Sequence, residues 1–179
     1  LNDELGAVTR WRSFVSGVKE RLLFNGGGRL VKSLGDGLLL EFGGPAAAIL
    51  ACQTMHSAIA EQNSGQAAEA TMALRIGVHV ADIFVDALDV YGSGVNLAAR
   101  LAGLAAPGDT VVSREVRDLL VDGMHVDLHD LGDCFLKHLA SPVRAFRLSS
   151  CARTPRPQLF SESDHQALLA VIPFVQLTG

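Results

Sequence analysis

Apolar and polar positions follow one another along the chain with two different periods. Near the start, apolar residues recur at intervals of three and four, which predicts a helix over residues 2–24. The residues that carry this period are Leu5, Val8, Trp11, Val15 and Val18. Two short apolar runs follow, over residues 29–34 and 38–42, and the Asp36-Gly37 pair between them predicts a β-hairpin.

The rest of the chain divides in the same way. Pro45 suits the first position of a second helix, which we expect to run to about Gln62. We expect further helices at 91–105 and 113–120, and strands at 72–80, 83–85, 110–112, 124–128, 135–136 and 143–147. This order predicts an α+β fold, a mainly antiparallel sheet with helices on one face.

The composition changes after Leu148. Residues 149–157 contain two prolines and show no periodicity, which is typical of a linker. Residues 168–175 then form one apolar run, which predicts a strand that either packs on the main domain or opens a second one. We therefore predict one domain over residues 1–148, and a linker with the possible first strand of a following domain over 149–179.

Charge and composition exclude several classes of protein. With 49% apolar and 19% charged residues among 179, the chain is not a disordered one. The net charge is -4 and no Lys/Arg-rich block occurs, so we expect no nucleic-acid partner. Every apolar stretch is shorter than the ~18 residues of a membrane span. Three scattered cysteines favour a reducing, cytoplasmic compartment.

Two segments carry candidate chemistry. Asp36, between Gly35 and Gly37 at the predicted hairpin tip, could bind a hard cation such as Mg²⁺, although an Asp-Gly pair is also a common structural turn. Asn96 and Arg100 are four residues apart on a predicted helix, so they share one face. An amide and a guanidinium on one face can bind a sugar oxygen and a phosphate, or can be merely a solvated polar face.

Together these segments resemble the catalytic domain of class III nucleotidyl cyclases. In that family a Lys precedes a metal-binding Asp of a Gly-Asp-Gly turn by four residues, as Lys32 precedes Asp36 here. A later Asp is followed after seven residues by Asn and after four more by Arg, as in Asp89, Asn96 and Arg100. Residues 75–79, 107–109, 136–137 and 142–143 also look like family landmarks, so the resemblance covers residue 3 to about 148.

The resemblance implies a ferredoxin-like cyclase homology domain that is active as a homodimer. It implies conversion of a nucleoside triphosphate into a 3′,5′-cyclic nucleotide and pyrophosphate, with two Mg²⁺ or Mn²⁺ ions at each site. Asp36 would bind metal, Arg100 would offset charge on the α-phosphoryl group, and Asn96 would orient the ribose. The metal aspartate and the Asn/Arg pair of one site would come from different protomers.

By the same resemblance, Lys32 and Asp89 would bind the base. A Lys donor and an Asp acceptor match the edge of adenine, whereas guanylate cyclases of the family tend to carry Glu and Cys at these positions. We therefore predict an adenylate cyclase that uses ATP. The alternatives are a catalytically inactive module that binds nucleotide or only dimerises, and a guanylate cyclase.

The sequence departs from the family pattern in two places. The family's first metal aspartate lies on a strand before the first helix, but this sequence begins at Leu1, already at that helix. Either that strand precedes Leu1, which we expect, or the protein lacks it and two-metal chemistry is in doubt. Ala81 stands where the family usually has glycine before an acidic residue, and we expect this change to be tolerated.

Overall fold

A computed structural model describes seven segments of the chain: residues 4–25, 27–81, 84–85, 90–91, 93–121, 126–149 and 167–176. These residues form four α-helices: α1 (Glu4–Asn25), α2 (Pro45–Asn63), α3 (Ser93–Leu104) and α4 (Arg114–Val121). The four helices lie within two or three residues of the predicted bounds. Pro45 is at the start of α2, as its fixed φ angle predicts.

The strands up to residue 91 are β1 (Gly28–Ser33), β2 (Gly37–Phe42), β3 (Met72–Leu74), β4 (Ile76–Ala81), β5 (Phe84–Val85) and β6 (Val90–Tyr91). They are followed by β7 (Thr110–Ser113), β8 (Leu128–Cys134), β9 (Val143–Leu148) and β10 (Ala167–Gln176). Eight strands form the main sheet, in the order β1-β2-β10-β4-β7-β9-β8 with β3 paired to β10, while β5 and β6 pair separately. Only the β4–β7 pair is parallel among these ladders, so the mainly antiparallel α+β prediction is confirmed.

Strand β10 lies inside the sheet, between β2 and β4. Its residues pair antiparallel with both neighbours, so that Ala170 is opposite Leu40 on one side and Val78 on the other. Proline usually disrupts an interior strand because it cannot donate a ladder hydrogen bond. Pro173 stays opposite Gly37 of β2, but on its other side the ladder is interrupted between the residues paired with β4 and those paired with β3. The domain boundary after residue 148 stays a prediction.

The helices pack on both faces of the sheet, so the expectation that they share one face is wrong. One apolar cluster joins α1, α2 and α4 to alternate strand residues such as Leu38, Leu40 and Val112. The intervening residues Leu39 and Val111 point to the opposite face, where they contact α3. Successive strand residues point to opposite faces, and the sequence has apolar residues at both sets of positions in β2 and β7.

Of the strand predicted at 124–128, residues 124–125 lie outside the described residues and 126–127 are not in a strand, while β8 runs from Leu128 to Cys134. This strand contains Asp130, Gly132 and Asp133, and most of its side chains are exposed at the edge of the sheet. A register shift between Asp130 and Gly132 interrupts its pairing with β9. Apolar periodicity cannot predict a polar edge strand with a bulge, because such a strand is defined only by its backbone hydrogen bonds with the neighbouring strand.

In the part of the chain that the structure covers, none of the helices combines the length and the apolar character needed to cross a bilayer.

Candidate active site

Asp36 lies at the tip of the β1–β2 hairpin, fully open to solvent. Gly35 has φ 79°, a left-handed conformation that glycine adopts without strain, and the Leu34 N–H donates to the Gly37 carbonyl at 2.7 Å to close the turn. The Trp11 indole N–H donates to the Gly35 carbonyl at 3.1 Å and anchors the tip to α1. The carboxylate therefore projects from a well-supported turn, as its flanking glycines predict.

Lys32 lies near the end of β1, four residues before Asp36, and its side chain is exposed. A register shift between Leu30 and Lys32 interrupts the pairing with β2, so that Lys32 is opposite Leu39. Its neighbour Val31 packs with Leu39 and Ala98 in a cluster that joins the hairpin to α3. The hairpin that carries Lys32 and Asp36 is thus in direct apolar contact with the helix that carries Asn96 and Arg100.

A groove of about 530 Å³ separates the hairpin tip from α1 and is open to solvent. Asp36 and Ser33 line it on one side, while Arg12, Ser16 and Lys19 line it on the other. Sequence analysis missed these helix residues because it used only the apolar period of α1. Their spacing of four and three residues places them on one face, which was the available signal.

Asn96 and Arg100 lie on the face of α3 that points away from the sheet, as their spacing predicts. Asn96 is exposed, whereas Arg100 is half-buried and its Nε atom is shielded from solvent. Within the described part of the chain, that Nε has no hydrogen-bond partner. The Nε of Arg75 is shielded in the same way, so this feature alone does not distinguish Arg100.

Helix α3 contacts β4 closely because Gly77 has no side chain. A Cβ at position 77 would lie 2.1 Å from the Ala98 carbonyl oxygen and 2.3 Å from the Ala102 nitrogen. Only glycine allows the backbone of a helix to approach a strand this closely. Gly77 therefore fixes how near the sheet α3 lies, and with it the height of Asn96 and Arg100 above the sheet.

His79 lies two residues after Gly77 in β4, beside the polar residues Ser113 and Glu115. Its Nδ1 lies 2.9 Å from the Ser113 Oγ and 3.8 Å from a carboxylate oxygen of Glu115. Burial lowers the pKa of His79, and the attraction of Glu115 opposes this change only in part. The imidazole links β4 to the start of α4.

Four of the sequence-predicted residues thus form two pairs on adjoining elements, all exposed except Arg100, which is half-buried. Asp89 lies outside the described residues. Asp36, Asn96 and Arg100 make no side-chain hydrogen bond or ion pair with any described residue, so these three polar groups are available to a ligand. No group of three His, Cys, Asp or Glu side chains that could hold a metal occurs among the residues described.

Comparisons with known proteins agree with this arrangement. The family model described as "Adenylate and Guanylate cyclase catalytic domain" matches residues 18–150. The protein named "Putative adenylate cyclase 3" from Rhizobium meliloti is 32% identical over 96% of this chain, which spans only 30% of that relative. The chain spans about a third of the other curated relatives that it matches.

Solved structures show the same fold. The adenylate/guanylate cyclase/hydrolase from Silicibacter pomeroyi superposes with a TM-score of 0.70 at 27% identity, covering 79% of this chain and 83% of that one. The adenylyl cyclase CyaB from P. aeruginosa gives 0.67 at 20% identity, covering 82% and 84%. The class III cyclase resemblance is therefore confirmed, and the chain belongs to the adenylate and guanylate cyclase catalytic domain family.

Proposed function

We propose that this domain is an adenylate cyclase that converts ATP into 3′,5′-cyclic AMP and pyrophosphate. The observation that carries the proposal is that Asp36, Asn96 and Arg100, which match the family's order, make no side-chain hydrogen bond or ion pair within the described structure. Family membership supports the reaction class, and the finer assignment to ATP is our inference from Lys32 and Asp89.

The Asp36 carboxylate fits a hard divalent cation. Mg²⁺ is typically bound by one or two carboxylates together with the phosphate oxygens of its substrate, and Asp36 offers one exposed carboxylate at a supported tip. A bound Mg²⁺ or Mn²⁺ pair would lower the pKa of the attacking ribose hydroxyl and offset charge on the departing pyrophosphate.

Asn96 and Arg100 act on the two ends of the bond that forms. The ribose 3′-oxygen must attack the α-phosphorus in line with the leaving pyrophosphate, so correct placement supplies much of the rate. The Asn96 amide holds the ribose in position. The Arg100 guanidinium offsets the negative charge that grows on the α-phosphoryl oxygens, which is a stronger interaction in the transition state than in bound ATP.

Lys32 and Asp89 select the base. The Lys32 ammonium donates to the ring nitrogen N1 of adenine, and the Asp89 carboxylate accepts from the exocyclic amino group. Guanine presents the reverse pattern on this edge, an acceptor at O6 and a donor at N1. A parallel assay with GTP tests this assignment, and faster turnover of GTP than of ATP would identify a guanylate cyclase instead.

The site forms between two copies of the chain, each contributing part of it. Asp36 comes from one protomer and the Asn96 and Arg100 pair from its partner, which gives two equivalent sites about a two-fold axis. No hydrogen bond or ion pair links Asp36 to Arg100 within the described chain, which is compatible with this division. A cytoplasmic location, where ATP is available, stays a prediction.

The decisive experiment measures cyclic AMP formation by the full-length protein with Mg²⁺ and, separately, with Mn²⁺. Arg100→Ala should lower kcat by about 100-fold or more while ATP affinity changes little. The matched control is Arg114→Ala, which removes an exposed guanidinium that pairs only with exposed Asp118 at 3.6 Å. ATP binding without any turnover by the unaltered protein would favour the inactive nucleotide-binding alternative.

Mixing two inactive variants tests the shared site. Asp36→Ala and Arg100→Ala subunits, combined and allowed to exchange, should form heterodimers that retain one intact site and regain part of the activity. In the control mixture, Asp118→Ala replaces Asp36→Ala; it removes an exposed carboxylate of α4 and should be fully active on its own. Stable mixed dimers without activity would contradict the division of the site.

A further inference from the structure

The first turn of α3 lies against the last residue of β4 with no space between them. A Cβ at Gly94 would lie 2.0 Å from the Ala81 Cβ and 3.4 Å from the Ala81 Cα. Non-bonded carbon atoms prefer a separation of about 3.5–4.0 Å, so a methyl group cannot be present at both positions. The Ala81 methyl group therefore fills the space that the missing side chain of Gly94 leaves.

Another close contact between α3 and β4 is that of Gly77 with Ala98 and Ala102. Positions 94 and 98 are separated by about 6 Å along the helix axis. One contact alone would fix the distance between helix and strand at a single point. The two together also fix the tilt of the helix relative to the sheet.

Asn96 and Arg100 each follow one of these contact positions by two residues. Two residues turn a helix by about 200°, so both side chains lie on the face opposite the contacts. A displacement of the first turn away from β4 therefore moves Asn96 outward by a similar distance, and it tilts Arg100 with the helix. Val95 in the same turn packs against the cluster of Leu39 and Ala98, so that contact would shift as well.

We propose that Ala81 and Gly94 are complementary positioning residues that set Asn96 and Arg100 for the cyclase reaction. This inference rests on the proposed function. Neither residue touches the substrate: they act through the position of the first turn of α3. The space left at Gly94 also accommodates the methyl group of Ala81.

A reciprocal exchange tests the pair. Gly94→Ala should lower kcat/KM for ATP by about 100-fold, the loss expected when catalytic groups move by roughly 1 Å. Alanine is the better helix former, so this loss would not come from a weaker helix. Adding Ala81→Gly to Gly94→Ala should restore most of the activity, because the methyl group is then moved from β4 to α3.

Two controls separate positioning from general damage. Ala81→Gly alone should cause a smaller loss, since it opens a methyl-sized gap without pushing the helix. Gly103→Ala adds a methyl group to the same helix where nothing lies within 4 Å, and it should leave kcat/KM unchanged. Thermal unfolding of every variant shows whether it folds.

Two results would overturn the proposal: unchanged kcat/KM in Gly94→Ala, or a double variant as slow as that single variant. If Gly94→Ala does not fold, the double variant decides, because recovery of folding and turnover supports the pair and failure of either contradicts it. If the unaltered protein and Gly103→Ala both lack cyclase activity, the proposed function fails and the positioning role fails with it. If the unaltered protein is active but adding Ala81→Gly does not restore activity to Gly94→Ala, only the positioning role of Ala81 and Gly94 is contradicted.

Discussion

The hairpin tip that carries Asp36 and the helix face that carries Arg100 are held in place by different means. The tip depends mainly on near neighbours in sequence, since Gly35 supplies the turn conformation and the Gly37 carbonyl closes it, with one added hydrogen bond from Trp11 of α1. A Cβ at Gly35 would meet no atom within 4 Å. Helix α3 instead depends on backbone contacts with β4, where added Cβ atoms at Gly77 or Gly94 would meet atoms at 2.0–2.3 Å.

This difference teaches where the domain tolerates change. A solvated turn can absorb a substitution by a small local movement, because little surrounds it. A close-packed contact between helix and strand cannot, because each added atom displaces a whole element. Strand β10 lies between β2 of the hairpin and β4, so it links the two regions within one sheet.

The largest effect should come from Gly77→Ala. The added methyl group would collide with the backbone of Ala98 and Ala102, so α3 must lift from β4. We expect the free energy of unfolding to fall by about 3 kcal/mol, the upper range for overpacking, as measured by urea denaturation. Gly103→Ala, in open space on the same helix, should instead raise it by about 0.5–1 kcal/mol. Equal effects of the two substitutions would remove the contrast between the regions.

A smaller effect should come from breaking the strand that links them. Ala170 pairs with Leu40 on one side and Val78 on the other, so Ala170→Pro removes an amide donor and orphans a carbonyl inside the sheet. We expect a loss of about 2 kcal/mol in the stability of the cyclase domain. Pro173→Ala alters β10 at the point where its pairing changes from β4 to β3. It should change the free energy of unfolding by only about 0.5 kcal/mol.

The stabilities of Ala170→Pro and Pro173→Ala also test the predicted domain boundary after residue 148. If Ala170→Pro leaves the cyclase domain of the full-length protein as stable as before, residues 167–176 do not contribute to its sheet. They would then belong to a following domain, the other expectation from the sequence.

The hairpin tip should be less sensitive. Gly35 has φ 79°, so Gly35→Ala places a Cβ in a strained left-handed conformation, at a cost of about 1 kcal/mol. Gly43→Ala is the control, because that glycine has an ordinary φ and equally open surroundings. A loss at Gly35 as large as that for Gly77→Ala would show that the tip is packed as tightly as the helix contact.

The smallest effect is the pH dependence of the free energy of unfolding, which we expect His79 of β4 to cause in part. Burial lowers the pKa of His79 below that of an unfolded histidine, so the unfolded chain binds the proton more readily. The free energy of unfolding should therefore fall as pH drops below about 6.5, and the fall should end below the pKa of His79 in the folded protein. Burial also lowers the pKa of His56, which adds to the same trend.

Chemical denaturation between pH 7.5 and 5.5 measures this trend. His79→Gln should reduce the pH dependence without abolishing it, since His56 remains. The exposed His129 of β8 provides the control variant His129→Gln, which should keep the dependence of the unaltered protein. An unchanged pH dependence in His79→Gln would show that folding does not lower the pKa of His79.

Local sequence determined much of this protein. The apolar period predicts α1 and α2 closely, the Asp36-Gly37 pair predicts the hairpin, and the i, i+4 spacing places Asn96 and Arg100 on one helix face. Each depends on neighbours within a few residues, so backbone preferences decide it. The order of Lys32, Asp36, Asn96 and Arg100 also sufficed to identify the family, which the comparisons confirm.

Only the tertiary structure decided what depends on contacts between distant segments. It placed α3 on the face opposite the other helices, put β10 between β2 and β4, and set Ala81 against Gly94. In the sequence Gly77 and Gly94 look like residues that weaken a strand and a helix. Their value appears only when two elements meet, because the absence of a side chain matters only where another backbone occupies its place.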